Sequence, residues 1–170
     1  MEEFKDLPLR LEDWTYETVE HLVKTREYEP GAFDYKDALN PTGSGEYQEN
    51  HRDSIRRTVC SMANISGGGF IIFGVKDRRN VKGADTIEDR IVGIPPDGEL
   101  LKRFGDKIAA IQPDVHCEPI PRAIDVPHAP GRVIFVVRVP QSQRRPHMVF
   151  LRVDVEGAII NAANMEQQFL

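Results

Sequence analysis

Three carboxylates stand at positions where chemistry on a phosphodiester would need them. Glu29 precedes a Pro-Gly turn, Asp34 lies on a predicted strand, and Asp77 follows the most apolar strand of the chain. Carboxylates that converge at strand ends hold divalent ions through hard oxygen ligands. Such an ion activates water and polarises a phosphodiester. The alternative is that these are ordinary surface carboxylates, since the chain has 27 acidic residues.

A lysine accompanies the second carboxylate. Lys36 lies two residues after Asp34, so both side chains project from the same face of the predicted strand. A lysine beside a metal-bound carboxylate would offset charge that develops on the phosphate. The order Asp34-Tyr35-Lys36 also resembles the acidic-x-lysine strand motif of restriction-type nucleases. We take that likeness as a parallel in mechanism and not in fold.

Basic residues cluster at three places in a chain whose net charge is −5. That charge argues against indiscriminate binding of polyanions, because affinity for a phosphate backbone is mainly electrostatic. It leaves room for a local basic groove, and the alternative interpretation is a solvated charged face. The candidate nucleic-acid-binding residues are Arg56, Arg57, Lys76, Arg78, Arg79, Arg144 and Arg145.

The hydrophobic pattern predicts the elements that must position these groups. Apolar residues at helical spacing predict two longer helices. The apolar stripe of the first ends in Ile65, and the stripe of the second contains Leu101. Strands follow from alternation or from short apolar runs. The order of elements indicates an α+β fold, a mixed sheet with packed helices. Predicted helices cover about residues 15–24, 46–64 and 98–111, and predicted strands cover 32–36, 70–75, 91–94, 115–120, 133–139 and 148–153.

Composition and short sequence patterns limit the cellular compartment and the kinds of site that the chain is expected to have. No apolar stretch approaches the roughly 18 residues of a membrane-spanning helix, and the acidic N-terminus is unlike a secretory signal. Cys60 and Cys117 are too few and too far apart for a disulfide framework, which predicts buried free thiols in a cytoplasmic protein. The glycines at 67–69 predict a tight turn instead of a phosphate cradle, because no Gly-Lys-Ser/Thr follows them. His147 is predicted to be a partly exposed turn residue.

Several runs, taken in order, resemble the Schlafen-type, AlbA-like family. The run from Glu29 to Lys36 is similar to its opening motif: a glutamate, four residues, an acidic residue, an aromatic residue and a lysine. The run from Ile55 to Phe70 resembles its helix-to-strand signature, in which Ala-Asn precedes a glycine pair. Further similar segments are 71–77, 91–93 and 133–140, followed by Pro146, His147 and Arg152.

The resemblance implies an AlbA-like α+β fold and an association with nucleic acid. In Schlafen proteins that cleave RNA, a three-carboxylate metal site has been assigned, and by motif position it falls on Glu29, Asp34 and Asp77. Asp34 stands where the family usually has a glutamate and reaches one methylene less far. The implied site therefore has Glu29, Asp34 and Asp77 as ligands of Mg²⁺ or Mn²⁺, with Lys36 as a further catalytic residue.

Domain boundaries and partners follow from the same resemblance. We predict a helical extension at residues 1–26, the AlbA-like domain at residues 27–163, and the start of a helix at residues 164–170, which the pattern suggests is truncated. Three functions stay open. The first is a metal-dependent endoribonuclease on structured RNA such as tRNA, the second a non-catalytic DNA-binding or sensory module of a regulator, and the third a protein-interaction domain. We expect a homodimer and no membrane partner.

Overall fold

A computed structural model of the 170-residue chain describes residue 8, residues 10–25, 33–77, 86–119 and 123–149, and the backbone of residues 154–155 and 158–159. Its architecture is α+β, with helices packed on a mixed sheet, as the sequence predicts. Among the described residues, no helix is long and apolar enough to cross a membrane.

The described helices are bounded by local sequence signals. Thr15 accepts a hydrogen bond from the backbone of Thr18 (3.3 Å) at the start of α1, and Ser44 accepts one from Tyr47 (3.2 Å) at the start of α2. Such hydroxyls satisfy backbone N–H groups that have no partner within the helix. After a short 3-10 helix at Leu11–Asp13, the α-helices are α1 (Tyr16–Thr25), α2 (Gly45–Asn64), α3 (Ile87–Arg90) and α4 (Leu100–Ile108).

The main sheet has the order β1-β2-β6-β4, with β5 also paired to β6. β1 runs parallel to β2, while β2, β4 and β5 are antiparallel to β6. β3 pairs with β7, and β8 pairs with β9. The strands are β1 (Phe33–Lys36), β2 (Gly69–Phe73), β3 (Ile111–Gln112), β4 (Glu118–Pro119), β5 (Ile124–Asp125), β6 (Val133–Val139), β7 (Met148–Val149), β8 (Asp154–Val155) and β9 (Ala158–Ile159).

The two faces of the sheet receive different helices. Phe70 of β2 contacts Trp14, which joins the 3-10 helix to α1, at 5.1 Å between ring centroids. Phe73 projects from the opposite face and contacts Phe104 of α4 at 5.9 Å. Side chains alternate along a strand, and cross-strand partners share a face. Because Lys36 is the register partner of Phe73, the polar face of β1 points toward α2 and α4.

Two predicted apolar contacts are wrong. Ile65 is 37% exposed and Leu101 is 55% exposed. Ile65 caps the C-terminus of α2 in an extended conformation, so its side chain leaves the helical stripe. In α4 the buried residues are Leu100 and Phe104 instead, and Ile111 is buried in strand β3 because the helix ends at Ile108.

The glycine run after α2 is a tight turn, as the sequence predicts. Gly67 and Gly68 have φ of 83° and 66°, in the left-handed region that glycine adopts without steric cost. A Cβ on Gly68 would lie 2.1 Å from the backbone oxygen of Val139. Absence of a side chain at Gly68 therefore lets the turn touch the end of β6.

Candidate functional site

Asp34 and Lys36 form a polar cluster with α2. Lys36 Nζ lies 2.8 Å from Asp34 Oδ2 and donates to Ser54 Oγ at 2.9 Å. Thr58 Oγ1 donates to the same Asp34 oxygen at 3.0 Å. The lysine and aspartate side chains are 15% and 21% exposed. Alternation on β1 thus brings the two predicted residues together, and one turn of α2 holds them in place.

Asp77 lies beyond the end of β2. Asp34 is the register partner of Ile71, six positions before Asp77. The backbone between them is interrupted at Gly74, where φ is 96°. Gly74 N–H then donates to the carbonyl of Lys36 at 2.7 Å. The end of β1 is therefore fixed to the segment that leads into Asp77.

The third predicted carboxylate, Glu29, lies outside the described residues, as do Arg78 and Arg79. Within the described ranges, no group of three or more histidine, cysteine or acidic side chains is arranged to hold a metal. Asp34 offers one carboxylate oxygen, because Oδ2 already accepts from Lys36 and Thr58. That remaining oxygen is a hard donor of the kind Mg²⁺ and Mn²⁺ prefer. Asp34 therefore fits one position in a metal site, and the described carboxylates alone do not complete one.

Arg56 is engaged inside the domain. Its Nε donates to the carbonyl of Lys107 at 2.5 Å, and its Nη1 lies 3.4 Å from Asp53 Oδ1. Lys107 belongs to the last turn of α4, where backbone carbonyls lack helical partners. The guanidinium thus joins α2 to the C-terminal end of α4, which is a structural role for a predicted nucleic-acid-binding residue.

The other described basic candidates lie nearer the surface. Arg57, Arg144 and Arg145 are exposed, and Lys76 is half-buried. Arg145 Nη1 donates to the carbonyl of Asn64 at 3.4 Å, which brings it to the C-terminal end of α2. Arg57 precedes Asn64 by seven residues, roughly 10 Å along the helix and on the same side. The fold therefore brings two separate sequence clusters to one surface.

A second cationic cluster lies between α2 and α4, and sequence reasoning missed part of it. Burial lowers the pKa of Lys107, and the charges of Arg52 and Arg56 lower it further. Burial also lowers the pKa of His51, followed by the charges of Lys107 and Lys36. Arg52 and Lys107 share no motif and are 55 residues apart on different helices, so no pattern in the sequence joins them. On α2, Arg52 lies one turn before Arg56, on the side that faces α4.

The comparison with family models identifies the domain. The model described as Schlafen, AlbA_2 matches residues 31–160, which is most of the chain. The chain belongs to the Schlafen, AlbA_2 family. A comparison with curated proteins finds no match.

Among solved structures, this Schlafen-type chain is similar to the DIP2311 protein from Corynebacterium diphtheriae. The two share 21% sequence identity with a TM-score of 0.41. The similarity covers 82% of this chain and 25% of that protein. The chain thus spans about a quarter of the length of that relative.

The Ala-Asn pair of the Schlafen-type signature has a structural role in this domain. Asn64 Oδ1 accepts from the backbone N–H of His147 at 2.8 Å, and Asn64 Nδ2 donates to the carbonyl of the same residue at 3.0 Å. Cys60 Sγ donates to that carbonyl as well, at 3.0 Å. The amide therefore fixes the strand-like segment before β7 against the end of α2.

His147 is buried, and the prediction of a partly exposed turn residue is wrong. It is only 3% exposed, and Nδ1 lies 2.6 Å from the carbonyl of Pro113. The bonds to Asn64 explain the burial of His147, because they hold its backbone against α2.

Both cysteines are half-buried free thiols, and burial raises the pKa of Cys60.

Proposed function

We propose that this domain binds nucleic acid through the phosphate backbone, with the outer side of α2 and the segment before β7 as the contact surface. Membership of a generally nucleic-acid-binding family supports the class of ligand. The observation that carries the proposal is that Arg145 reaches the end of α2 on the side where Arg57 is exposed. Arg144 stands next to Arg145 and is also exposed.

Electrostatic surroundings favour this surface over other exposed arginines. Within the part of the chain that the structure describes, Arg57, Arg144 and Arg145 have no ion pair with a carboxylate. Arg103 by contrast is paired with Asp97 at 2.5 Å and with Glu99 at 3.7 Å. Arginine without an acidic partner is free to bind phosphate, often through two parallel hydrogen bonds.

The binding test uses fluorescence anisotropy with labelled tRNA and labelled duplex DNA over a range of salt concentrations. Arg144→Gln/Arg145→Gln protein should bind both ligands more weakly and with a shallower dependence on salt, by about 0.7–0.9 in the logarithmic slope for each lost phosphate contact. Lys24→Gln/Lys102→Gln protein removes the same charge from exposed sites elsewhere and should match the wild type. Equal binding by the arginine variant would refute this surface.

A second candidate function rests on the cluster at Asp34. We propose that the domain cleaves structured RNA, with tRNA as the first substrate to test. Glu29, Asp34 and Asp77 would form the catalytic centre, and Lys36 would lie beside the phosphate. Support comes from the fixed geometry of the cluster, in which Lys36 and Thr58 orient one oxygen of Asp34. Fixed donors and charges lower a barrier because they need no rearrangement during the reaction.

Mg²⁺ or Mn²⁺, when bound by the carboxylates, would supply activated water and charge neutralisation. The residues of the chain have separate tasks. Lys36 is positioned to stabilise negative charge on the phosphate, while Ser54 keeps the ammonium group in place. Thr58 prevents rotation of the Asp34 carboxylate.

The cleavage test incubates end-labelled bulk tRNA with the purified protein and Mn²⁺ or Mg²⁺. Asp34→Asn keeps the bond from Thr58 and removes the charge, so cleavage should fall by at least about a hundredfold while binding stays measurable. Cutting that survives in Asp34→Asn would exclude this centre. Binding without cutting in any protein would favour the alternative, a non-catalytic DNA-binding or sensory module.

A homodimer would place two copies of the basic surface around one duplex. The resemblance to AlbA-like domains, which commonly pair, supports this proposal. Light scattering at micromolar concentration, with and without duplex, should give twice the 19.3 kDa mass of the chain. A monomer under both conditions would rule the dimer out.

A further inference from the structure

A pocket of about 200 Å³ lies on the side of α2 that faces α4. It is lined by Glu49, Arg52, Asp53 and Arg56. These positions are spaced by three, one and three residues, so they share one face of the helix. Lys107 lies at its margin, since its carbonyl accepts from Arg56. The pocket is therefore built from charged side chains of known relative position.

We propose that this pocket is a phosphate-binding subsite, in which Arg52 and Lys107 hold one phosphate group of a nucleic acid backbone. The inference rests on the proposed nucleic-acid binding and names a contact beyond it. The lining balances two arginines against two carboxylates. Lys107, which lies close enough to feel the charges of Arg52 and Arg56, adds a third cation beside the pocket and tips the local charge toward an anion.

The carboxylates engage the arginines only loosely. Glu49 lies 3.6 Å from Arg52, and Asp53 lies 3.4 Å from Arg56. Charge-assisted bonds of this kind normally measure about 2.7–2.9 Å. Since a guanidinium has five N–H donors, Arg52 retains most of them for a phosphate. Its side chain is 40% exposed, so a ligand can reach it from solvent.

Positive charges crowd around Lys107. Lys107 is partly desolvated and stands near both Arg52 and Arg56, and each of these influences disfavours its charged form. A phosphate would remove that cost, because an opposite charge at short range favours the charged form. Arg56 does not serve in the test, since its bond to Lys107 supports the packing of α2 on α4.

The position of the pocket favours a polymer over a free nucleotide. Arg52 precedes Asn64, where Arg145 docks, by twelve residues, about 18 Å along the helix. One strand of a duplex carries a phosphate about every 3.4 Å of axis, so this distance corresponds to about five nucleotide steps. Twelve residues also turn the helix by about 120°, so a backbone bound at Arg144 and Arg145 reaches the pocket by crossing α2 obliquely.

The experiment measures the affinity for labelled duplex and for inorganic phosphate. Arg52→Gln and Lys107→Met should each weaken duplex binding about fivefold near 0.15 M salt, the effect of losing one phosphate contact, and should lower the logarithmic slope by about 0.9. Lys107→Met keeps the backbone carbonyl that Arg56 binds and most of the buried chain. Lys102→Gln removes an exposed charge from the same helix and is the matched control.

The outcomes separate this inference from the proposed function. Wild-type protein that binds no nucleic acid would refute both. Wild-type binding with unchanged affinity in Arg52→Gln and Lys107→Met, and no thermal stabilisation by inorganic phosphate, would refute the pocket alone. Thermal stabilisation by inorganic phosphate that is lost in both variants, with duplex binding unchanged, would show a site for free phosphate and overturn the backbone assignment.

Discussion

The two halves of α2 differ in how completely their polar groups are matched. At the C-terminal end, Asn64 makes two bonds to the backbone of His147, and Cys60 adds a third. In the N-terminal half, Arg52 reaches Glu49 only at 3.6 Å, and three cations crowd around one pocket. Groups that are fully satisfied specify a structure, while unmatched charge is left for a ligand.

The difference separates architecture from function within one helix. The residues that most resemble a family motif, Asn64 and the glycines after it, hold the fold together. Arg52 and Lys107 belong to no motif of the family, and they lie where positive charge is crowded. A motif is therefore not by itself a list of functional residues.

The largest effect that tests this comparison is expected at the glycine turn. Gly67→Ala should cost about 1 kcal/mol, because only its positive φ is strained and open space surrounds it. Gly68→Ala should cost more than about 3 kcal/mol, since its Cβ would also meet three backbone atoms, 2.1, 2.7 and 2.9 Å away. Urea unfolding of the two variants measures both. Equal losses would mean that the turn is not pressed against the end of β6.

Asn64→Ala should give the next largest loss, about 2–3 kcal/mol. It leaves the buried N–H of His147 without its partner and removes one of two donors to the carbonyl. Ser61→Ala changes an exposed position on the same helix and should stay within about 0.5 kcal/mol. Urea unfolding compares the two variants. If Asn64→Ala lost no more stability than Ser61→Ala, the polar groups at the C-terminal end of α2 would not be better matched than those of its N-terminal half.

The ion pair between Asp34 and Lys36 should contribute about 1 kcal/mol of coupling in a double-mutant cycle with Asp34→Asn and Lys36→Met. It is shielded on both sides, and Ser54 and Thr58 fix its geometry. The more exposed pair Glu20 and Lys24, one turn apart on α1, is the control and should give about 0.3 kcal/mol. Coupling as small as the control would argue against a pre-formed cluster.

Much of the fold could be predicted because local signals agreed. The β6 strand, predicted at 133–139, has those same bounds, and α2 differs from its prediction by one residue at its start. The short elements were missed: α3 has four residues, and β5 has two. Segments of that length show no periodicity, and their pairing depends on contacts far away in sequence.

The site could be predicted only where residues are close in sequence. Asp34 and Lys36 meet because alternation on one strand requires it. The approach of Lys107 to Arg52, and the bonds from Asn64 to His147, depend on how helices pack and on where a returning strand docks. Neither follows from spacing along the chain, which is why Arg52 and Lys107 were not predicted and the burial of His147 was misjudged.

The smallest predicted effect concerns pH and the N-terminal half of α2. Neither ring nitrogen of His51 has a hydrogen-bond partner of good geometry among the described residues. Burial lowers the pKa of His51 below 6.5, and Lys107 and Lys36 lower it further, against the opposing influence of Asp37 and a weak bond to the backbone of Ala38. The folded state therefore binds fewer protons than the unfolded state between the lowered pKa and 6.5.

Stability must then fall as the pH drops through that window, because protonation of His51 favours the unfolded chain. His51→Gln should flatten this part of the acid limb in urea unfolding measured at intervals from pH 7 to pH 4. His116→Gln changes an exposed histidine and should leave the limb as in the wild type. If His51→Gln keeps the full slope, the pKa of His51 is not lowered in the folded state, and the contrast between the two halves of α2 loses this support. If only His51→Gln flattens the slope, the folded state holds His51 in its neutral form, through burial first and the charges of Lys107 and Lys36 second.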